Sequence, residues 1–299
     1  MGHDHHHHGV SAQADRRRLG VALSILLVFA VAEVVAGLLS GSVALLADAG
    51  HIVSDAGALG LSIVAIVLAA RPPEGAMTYG FKRAEPASAM VNGGALAVLA
   101  LVFSIQAIVR LIDPADVDAV PVLVLALCGI PVNLLATWVI AGADRSSVNV
   151  EGAYQHVVTD LYAFIGTAIA AIVILTTGFD RADPIAALFV SALMARAAWG
   201  LLRTTARIFF EAAPEGVDVD EVGRTLASEA GVTEVHDLHV WELTSGFPAL
   251  SAHVVVGRAE DCHDARARLS EVLHERFAIN HVTLQVEHEQ GLLSIEPRR

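Results

Sequence analysis

The chain has 299 residues, of which 55% are hydrophobic and 17% charged, and it carries a formal net charge of −13. Soluble domains have about 25% charged residues, so this composition argues against a purely soluble protein and favours a membrane protein. The acidic balance argues against nucleic acid as a partner. The two cysteines, Cys128 and Cys262, are too few for a disulfide framework.

Residues 1–18 form a His-rich segment that ends in three consecutive arginines. The segment shows no small-residue cleavage site, so we predict a cytoplasmic N-terminal segment rather than a cleaved signal peptide. Its five histidines between His3 and His8 allow two interpretations, a weak collector of metal ions or part of an expression tag.

Six apolar stretches follow, each about as long as the 20 residues that a membrane-spanning helix needs. They cover residues 19–39, 42–70, 84–112, 120–143, 148–176 and 183–210. Breaks that contain glycine, proline or aspartate separate most of them. We therefore predict that residues 19–210 form an all-α bundle of six membrane-spanning helices.

Basic residues near the ends of these stretches fall mainly on one side of the predicted bundle. That side carries Arg16, Arg17, Arg18, Arg71, Lys82, Arg83, Arg145, Arg203 and Arg207. The other side carries Arg110 and Arg181 near the helix ends. Because basic residues are retained on the cytoplasmic side, we expect a multi-pass protein of the cell membrane with both termini in the cytoplasm.

Residues 211–299 have the pattern of a soluble domain. Helical periodicity at 219–230 is followed by strand patterns at 235–243 and 250–256, a helix at 264–277 and a short strand at 282–287. The order αββαβ predicts a small α+β domain whose helices pack on one face of the sheet.

Ionisable residues interrupt the apolar stretches at two places. The second stretch contains Asp48, His51 and Asp55, whose spacing of three and four residues puts them on one helical face. The fifth contains His156 and Asp160, four residues apart. A charge at the bilayer centre costs about 2.5–3.5 kcal/mol on insertion scales, so such groups need partners or a wet cavity.

Two His-x-x-x-Asp pairs on different helices can supply four ligands of the kind that tetrahedral Zn²⁺ takes. One pair alone is equally consistent with a hydrogen bond, and the second pair favours the metal site. Asp48, Glu33 and Asn133 are candidates for the cation pathway. For Glu33 and Asn133, a role in holding helices together is an equal alternative.

Five segments of the sequence resemble the cation diffusion facilitator family, in chain order. They read LSGSVALLADAGHIVSD at 39–55, YGFKRAE at 79–85, GAYQHVVTD at 152–160, ADPIA at 182–186 and VHDLHVW at 235–241. The resemblance covers nearly the whole chain. It implies a homodimeric, zinc-type metal/proton antiporter in the lipid bilayer, which exports Zn²⁺, Cd²⁺ or Co²⁺ and has a metallochaperone-like cytoplasmic domain.

The resemblance also implies roles for individual residues. The transport ligands would be His51, Asp55, His156 and Asp160. A regulatory metal ion between two tails would be bound by His236, His253 and Glu287, with His263 as a fourth candidate. Strand histidines that are simply surface residues are the alternative. Arg83 and Glu211 match a family salt bridge that couples the third span to the tail.

Zn²⁺ would then be both substrate and regulatory ion, and no organic cofactor is expected. A metalloenzyme would keep a coordination position open for water, which four protein ligands do not leave. A membrane-anchored metal sensor remains the alternative function, although six spans around a charged site exceed what an anchor needs. The sequence therefore favours a secondary active transporter over an enzyme.

Overall fold

The computed structural model of the protein describes residues 24, 27–141 and 148–289. Within its helices the description leaves out some side chains, among them those of residues 55, 133 and 148–160. The chain divides into two compact units. We call Met1–Ile63 with Ala89–Leu202 the helical unit, and Val64–Ser88 with Arg203–Arg299 the tail unit.

Within the described residues, six helices lie in the part of the chain that the sequence predicted to be helical. They are α1 Leu27–Ser40, α2 Val43–Ala69, α3 Ala84–Ile112, α4 Ala119–Ala141, α5 Val148–Thr177 and α6 Ala182–Phe209. Helices α2 to α6 begin and end within two residues of the predicted stretches. Helices suit these apolar sequences because every backbone polar group is satisfied within its own segment.

Two of the helices, α3 and α6, are long and apolar enough by themselves to cross a membrane. The described apolar stretches in the other four are shorter, so the count of six spans stays a prediction. Helix α3 exposes large apolar side chains at seven-residue intervals, at Val91, Val98, Ile105 and Ile112. This spacing keeps them on one outer face, as expected for a surface that contacts lipid.

Small residues allow the helices to approach closely. A Cβ atom on Gly129 of α4 would lie 2.5 Å from the ring of Phe164 in α5, so only glycine fits there. Phe164 is fully buried and meets Phe29 of α1 edge-on, with ring centroids 5.5 Å apart. These contacts hold α5 in place at Phe164, which lies four residues after Asp160.

A buried carboxylate on α6 caps the start of α2. Asp183 accepts a hydrogen bond from the backbone N–H of Val43 at 2.9 Å and another from the hydroxyl of Ser42. The first N–H groups of a helix have no partner within that helix, and their partial positive charge favours an anion. Asp183 therefore fixes the beginning of the helix that carries Asp48 and His51.

The tail folds in the predicted order αββαβ. Its elements are α7 Val219–Ala227, β1 Val232–Glu242, β2 Pro248–Val256, α8 Cys262–Phe277 and β3 His281–His288. The strands are arranged β1-β2-β3, with β2 antiparallel to β1 and parallel to β3. The prediction of a small sheet is confirmed, and each observed strand is about two residues longer than the predicted one.

The two tail helices cover one face of this sheet, as predicted. Every second residue of β2 from Leu250 to Val256 is buried in a core shared with Leu226 of α7 and Leu269 of α8. Side chains alternate between the two faces of a strand, so His253 projects from the opposite face. We call that opposite face the outer face.

Candidate metal centres

Helix α2 buries two ionisable side chains on one face. Asp48 is 1% exposed and His51 is 5% exposed, and Glu33 on α1 is also fully buried. Asp48 and His51 are three residues apart, so they lie on the same side of the helix. Burial of such groups among apolar residues is costly unless they have partners or a function.

The other predicted transport residues are placed less completely. Asp55 lies in α2, His156 and Asp160 lie in α5, and Asn133 lies in α4. Their side chains are outside the described part of the structure. The four-ligand transport site and the role of Asn133 therefore remain predictions.

On the outer face of the tail sheet, two predicted metal ligands lie side by side. His236 of β1 pairs with His253 of β2, and their ring centroids are 5.3 Å apart. Glu287 of β3 lies one position further along this face, opposite Val255. Its carboxylate accepts a hydrogen bond from the side chain of Gln285, which pairs with His253.

His263 lies in the first turn of α8, next to the cap of that helix. Asp261 accepts hydrogen bonds from the backbone N–H groups of His263 at 2.7 Å and Asp264 at 3.2 Å, which lower the pKa of the Asp261 carboxyl. A lowered pKa means that this cap stabilises the fold at neutral pH and is lost as pH falls through that pKa.

Among the residues that the structure describes, no group of three or more His, Cys, Asp or Glu side chains is arranged to hold a metal ion. The regulatory site was predicted between two tails, so a single chain does not test it. Two imidazoles on adjacent strands are nevertheless donors of the type that Zn²⁺ takes.

Sequence reasoning missed two polar residues beside this histidine pair. The carboxylate of Asp237 lies 3.0 Å from Nε2 of His239 and 4.0 Å from Nε2 of His253. Both Asp237 and His239 belong to the VHDLHVW segment, but the regular strand pattern gave no sign that Asp237 approaches His253. This approach appears only in the structure, where the pairing of β1 with β2 is irregular between His236 and His239.

The end of the connection between α2 and α3 and the first turn of α3 make two polar contacts with residues 211–299. Nη2 of Arg83 lies 2.8 Å from Oε1 of Glu211, which is the residue pair that the sequence singled out. The hydroxyl of Thr244 donates a hydrogen bond of 2.8 Å to Glu85. Arg83 is partly exposed and Glu211 is exposed, so this ion pair alone is worth about 0–1 kcal/mol.

Aromatic contacts extend the same attachment. The hydroxyl of Tyr79 is 3.4 Å from Nε2 of His281, at the start of β3. The ammonium of Lys82 lies 4.9 Å from the ring centroid of Phe247, between β1 and β2. The sequence analysis did not identify these contacts, because nothing in the local pattern pairs these residues.

Comparison with known families identifies the class of protein. A family model for the cation efflux transmembrane domain matches residues 19–210, and a model for the cation efflux protein cytoplasmic domain matches residues 214–289. The chain therefore belongs to the cation efflux family. This result confirms the resemblance to cation diffusion facilitators.

Similar proteins match along most of their length. A cadmium, cobalt and zinc/H(+)-K(+) antiporter of Bacillus subtilis is 34% identical over 97% of this chain and 93% of its own. The zinc transporter ZitB of Escherichia coli K12 is 36% identical over the same shares of the two chains. A solved structure of the metal-bound C-terminal domain of the CzcD transporter from Cupriavidus metallidurans is 40% identical, covers 24% of this chain and 99% of that chain, and has a TM-score of 0.23.

Proposed function

We propose that this protein is a proton-coupled exporter of Zn²⁺, or of the related ions Cd²⁺ and Co²⁺. The observation that supports the proposal most directly is the burial of Asp48 and His51 on one face of α2. Ionisable groups inside membrane-spanning segments mark ion pathways. Membership in the cation efflux family and the names of the two relatives, a zinc transporter and a cadmium, cobalt and zinc antiporter, agree with this function.

The proposed transport site combines two imidazoles and two carboxylates from α2 and α5. Its ligands are His51, Asp55, His156 and Asp160, and the proposed pathway includes Asp48, Glu33 and Asn133. Mixed nitrogen and oxygen ligands in a set of four suit Zn²⁺. We propose six membrane spans in residues 19–210, which would leave residues 1–18 and 211–299 in the cytoplasm.

Proton coupling follows from the chemistry of these ligands. Zn²⁺ binds neutral imidazole and ionised carboxylate, so protons and metal ions compete for the same atoms. A free imidazole titrates near about pH 6.5. The site would therefore take up metal when it faces a neutral cytoplasm and release it when it faces a more acidic exterior. Rocking of the helix bundle would expose it to each side in turn.

We also propose a homodimer whose tails bind a regulatory Zn²⁺ ion. The donors would be His236, His253 and Glu287, with His263 as the fourth candidate, and the function needs no organic cofactor. The match to the cytoplasmic-domain family and the adjacent rings of His236 and His253 support this assignment. Through the Arg83–Glu211 pair, the tail would be coupled to the third span.

Metal flux into vesicles tests the proposed function. The purified protein, reconstituted into vesicles with an acidic lumen, should take up Zn²⁺, and collapse of the pH gradient should stop uptake. Asp160→Ala should abolish uptake without loss of insertion. Asp113→Ala, which removes an exposed carboxylate outside the helices, is the matched control. Wild-type uptake by Asp160→Ala would refute the site, whereas a wild-type protein that binds Zn²⁺ in its tail without flux would point to a membrane-anchored sensor.

A further inference from the structure

Helix α6 carries an exposed arginine in the middle of its apolar sequence. Arg196 is the one charged residue between Pro184 and Leu202. Among the described residues, the ion pairs formed by arginines do not include Arg196. A charged side chain inside a membrane span is costly, and such residues normally pair with an opposite charge or face water. The exposed guanidinium of Arg196 therefore needs a partner from outside the helical unit.

The depth of Arg196 follows from the level at which α6 begins. Asp183 accepts a hydrogen bond from the backbone of Val43, so α6 and α2 begin at the same level, on the outer side of the proposed bundle. The helix rises by about 20 Å from Asp183 to Arg196. The hydrocarbon core is about 30 Å thick, which leaves Arg196 about 10 Å inside its cytoplasmic boundary. Because Cα–Cβ bonds tilt towards the N-terminus of a helix, that of Arg196 points away from the cytoplasm.

The side chains around Arg196 form one exposed face of α6. Ile185, Phe189 and Trp199 are large and exposed. With Ala192 and Arg196 they recur every three or four residues, which places all five on one side of the helix. We call this set the arginine face. Its apolar residues suit lipid chains, and tryptophan prefers the level of the lipid headgroups.

The described carboxylates in the helices of the helical unit have other positions. Glu33 and Asp48 are buried inside the unit, and Asp183 caps α2. None of the three lies on the arginine face, whose own residues include no carboxylate.

Neither the neighbouring helix nor a second arginine face would supply an anion. Helix α3 packs beside α6, since a Cβ atom on Gly93 would lie 3.1 Å from the side chain of Leu201. Its sequence has no acidic residue from Pro86 to Ile112. A second copy of the arginine face would add another positive charge at the same depth, and like charges repel strongly where the dielectric constant is low. Charge complementarity therefore favours an anion from the membrane.

We propose that the arginine face binds an anionic phospholipid of the cytoplasmic leaflet, whose phosphate group lies against the guanidinium of Arg196. A guanidinium can form two parallel hydrogen bonds to phosphate oxygens. The indole N–H of Trp199 can donate to the same headgroup, and the acyl chains would run along Ala192 and Phe189. The headgroup would lie below its neighbours, in the local thinning by which bilayers accommodate arginine. The inference rests on the proposed placement of α6 in the membrane and not on the transported ion.

Thermal unfolding of the full-length protein in detergent tests the proposal, because a ligand of the folded state raises the unfolding temperature. The probes are phosphatidylglycerol, phosphatidylcholine and inorganic phosphate. The wild type should bind phosphatidylglycerol at least about fivefold more tightly than phosphatidylcholine, as expected for one basic residue near anionic lipid. Arg196→Gln should lose this preference, and Arg196→Lys, which keeps the charge, should retain most of it. Arg258→Gln, an exposed arginine after β2, is the matched control.

An unchanged lipid preference in Arg196→Gln would overturn the inference. An equal response of the wild type to both phospholipids would also overturn it, as would a response to inorganic phosphate as large as that to phosphatidylglycerol. If Arg196→Gln lowers the oligomeric mass but keeps the lipid preference, the face contacts a second copy instead. Zn²⁺ uptake by vesicles is a separate readout, so a protein without flux that keeps this lipid preference would refute the proposed function alone.

Discussion

At the scale of single residues, the imidazole of His51 is the group on α2 that should set metal preference. It is buried beside Asp48 in a helical unit whose core consists mainly of alanine, leucine and valine. Imidazole nitrogen suits borderline ions such as Zn²⁺, whereas carboxylate oxygen suits harder ions such as Mn²⁺. A change of residue type at position 51 should therefore alter metal selectivity more than it alters the stability of the fold.

We expect His51→Asp to lower the ratio of Zn²⁺ to Mn²⁺ uptake, because a hard carboxylate replaces the borderline imidazole. Uptake of both ions by reconstituted vesicles gives the ratio. His274→Asp makes the same chemical change on an exposed position of α8 and should leave the ratio unchanged. An unaltered ratio in His51→Asp would show that His51 is not the selectivity ligand.

Gly129 is predicted to be a sensitive position of the helical unit. Gly129→Ala would place a methyl group against the ring of Phe164, which is fully buried and cannot move freely. Overpacking of this kind destabilises a core by about 1–3 kcal/mol. Thermal unfolding in detergent should therefore occur at lower temperature.

Gly94→Ala provides the comparison for that measurement. A Cβ atom at Gly94 would meet no atom within 4 Å. Alanine favours a helix over glycine by about 0.8–1.0 kcal/mol, so this variant should be neutral or more stable. Equal effects of the two substitutions would contradict the close α4–α5 contact.

At the scale of elements, α2 is constrained at both ends. Asp183 of α6 caps its first turn. The connection that follows its last turn contacts residues 211–299 through Tyr79 and Arg83, and Glu85 adds a contact from the first turn of α3. Each exposed contact is weak, but contacts that share one short connection act together. These contacts motivate the prediction that a change in the tail alters transport.

We expect the double variant Arg83→Ala, Glu85→Ala to weaken the response of transport to cytoplasmic Zn²⁺ while the basal rate remains. The two substitutions remove the contacts to Glu211 and Thr244 and leave the residues of the transport site in place. The measurement is the initial rate of vesicle uptake over a range of Zn²⁺ concentrations. Glu74→Ala, in the same connection, is the control. A full response in the double variant would show that these contacts do not transmit the signal.

At the scale of the whole molecule, the acidic balance of the tail predicts how two copies would interact. Acidic residues outnumber basic ones after residue 210, so two tails should repel each other until cations neutralise them. A metal ion bound at the histidine pair would reduce that repulsion. Tail association should therefore depend on Zn²⁺ concentration.

Removal of two tail donors should separate regulation from transport. We expect the double variant His253→Ala, Glu287→Ala to show a smaller rise in rate with Zn²⁺, with residual transport retained, because the membrane ligands are untouched. Crosslinking of the dimer with and without Zn²⁺ gives a second readout. Zn²⁺-dependent crosslinking equal to that of the wild type would contradict the regulatory assignment.

The sequence alone determined the features that depend on local pattern. Helices α2 to α6 follow from apolar stretches of membrane length, and the αββαβ order of the tail follows from the alternation of periodicities. The positions of Asp48 and His51 on one face follow from helix geometry alone. These features were predictable because each depends on residues that are close in the sequence.

Only the tertiary structure decided which distant residues meet. Asp183 caps a helix that begins 140 residues earlier, Tyr79 reaches His281, and the irregular β1 strand brings Asp237 to His253. The packing of whole elements determines such contacts, and the same local sequence patterns are compatible with several different packings. Gly129 shows the same limit. From the sequence alone, a glycine in a helix predicts only a less stable helix. The structure shows that a larger residue at this position would collide with the ring of Phe164.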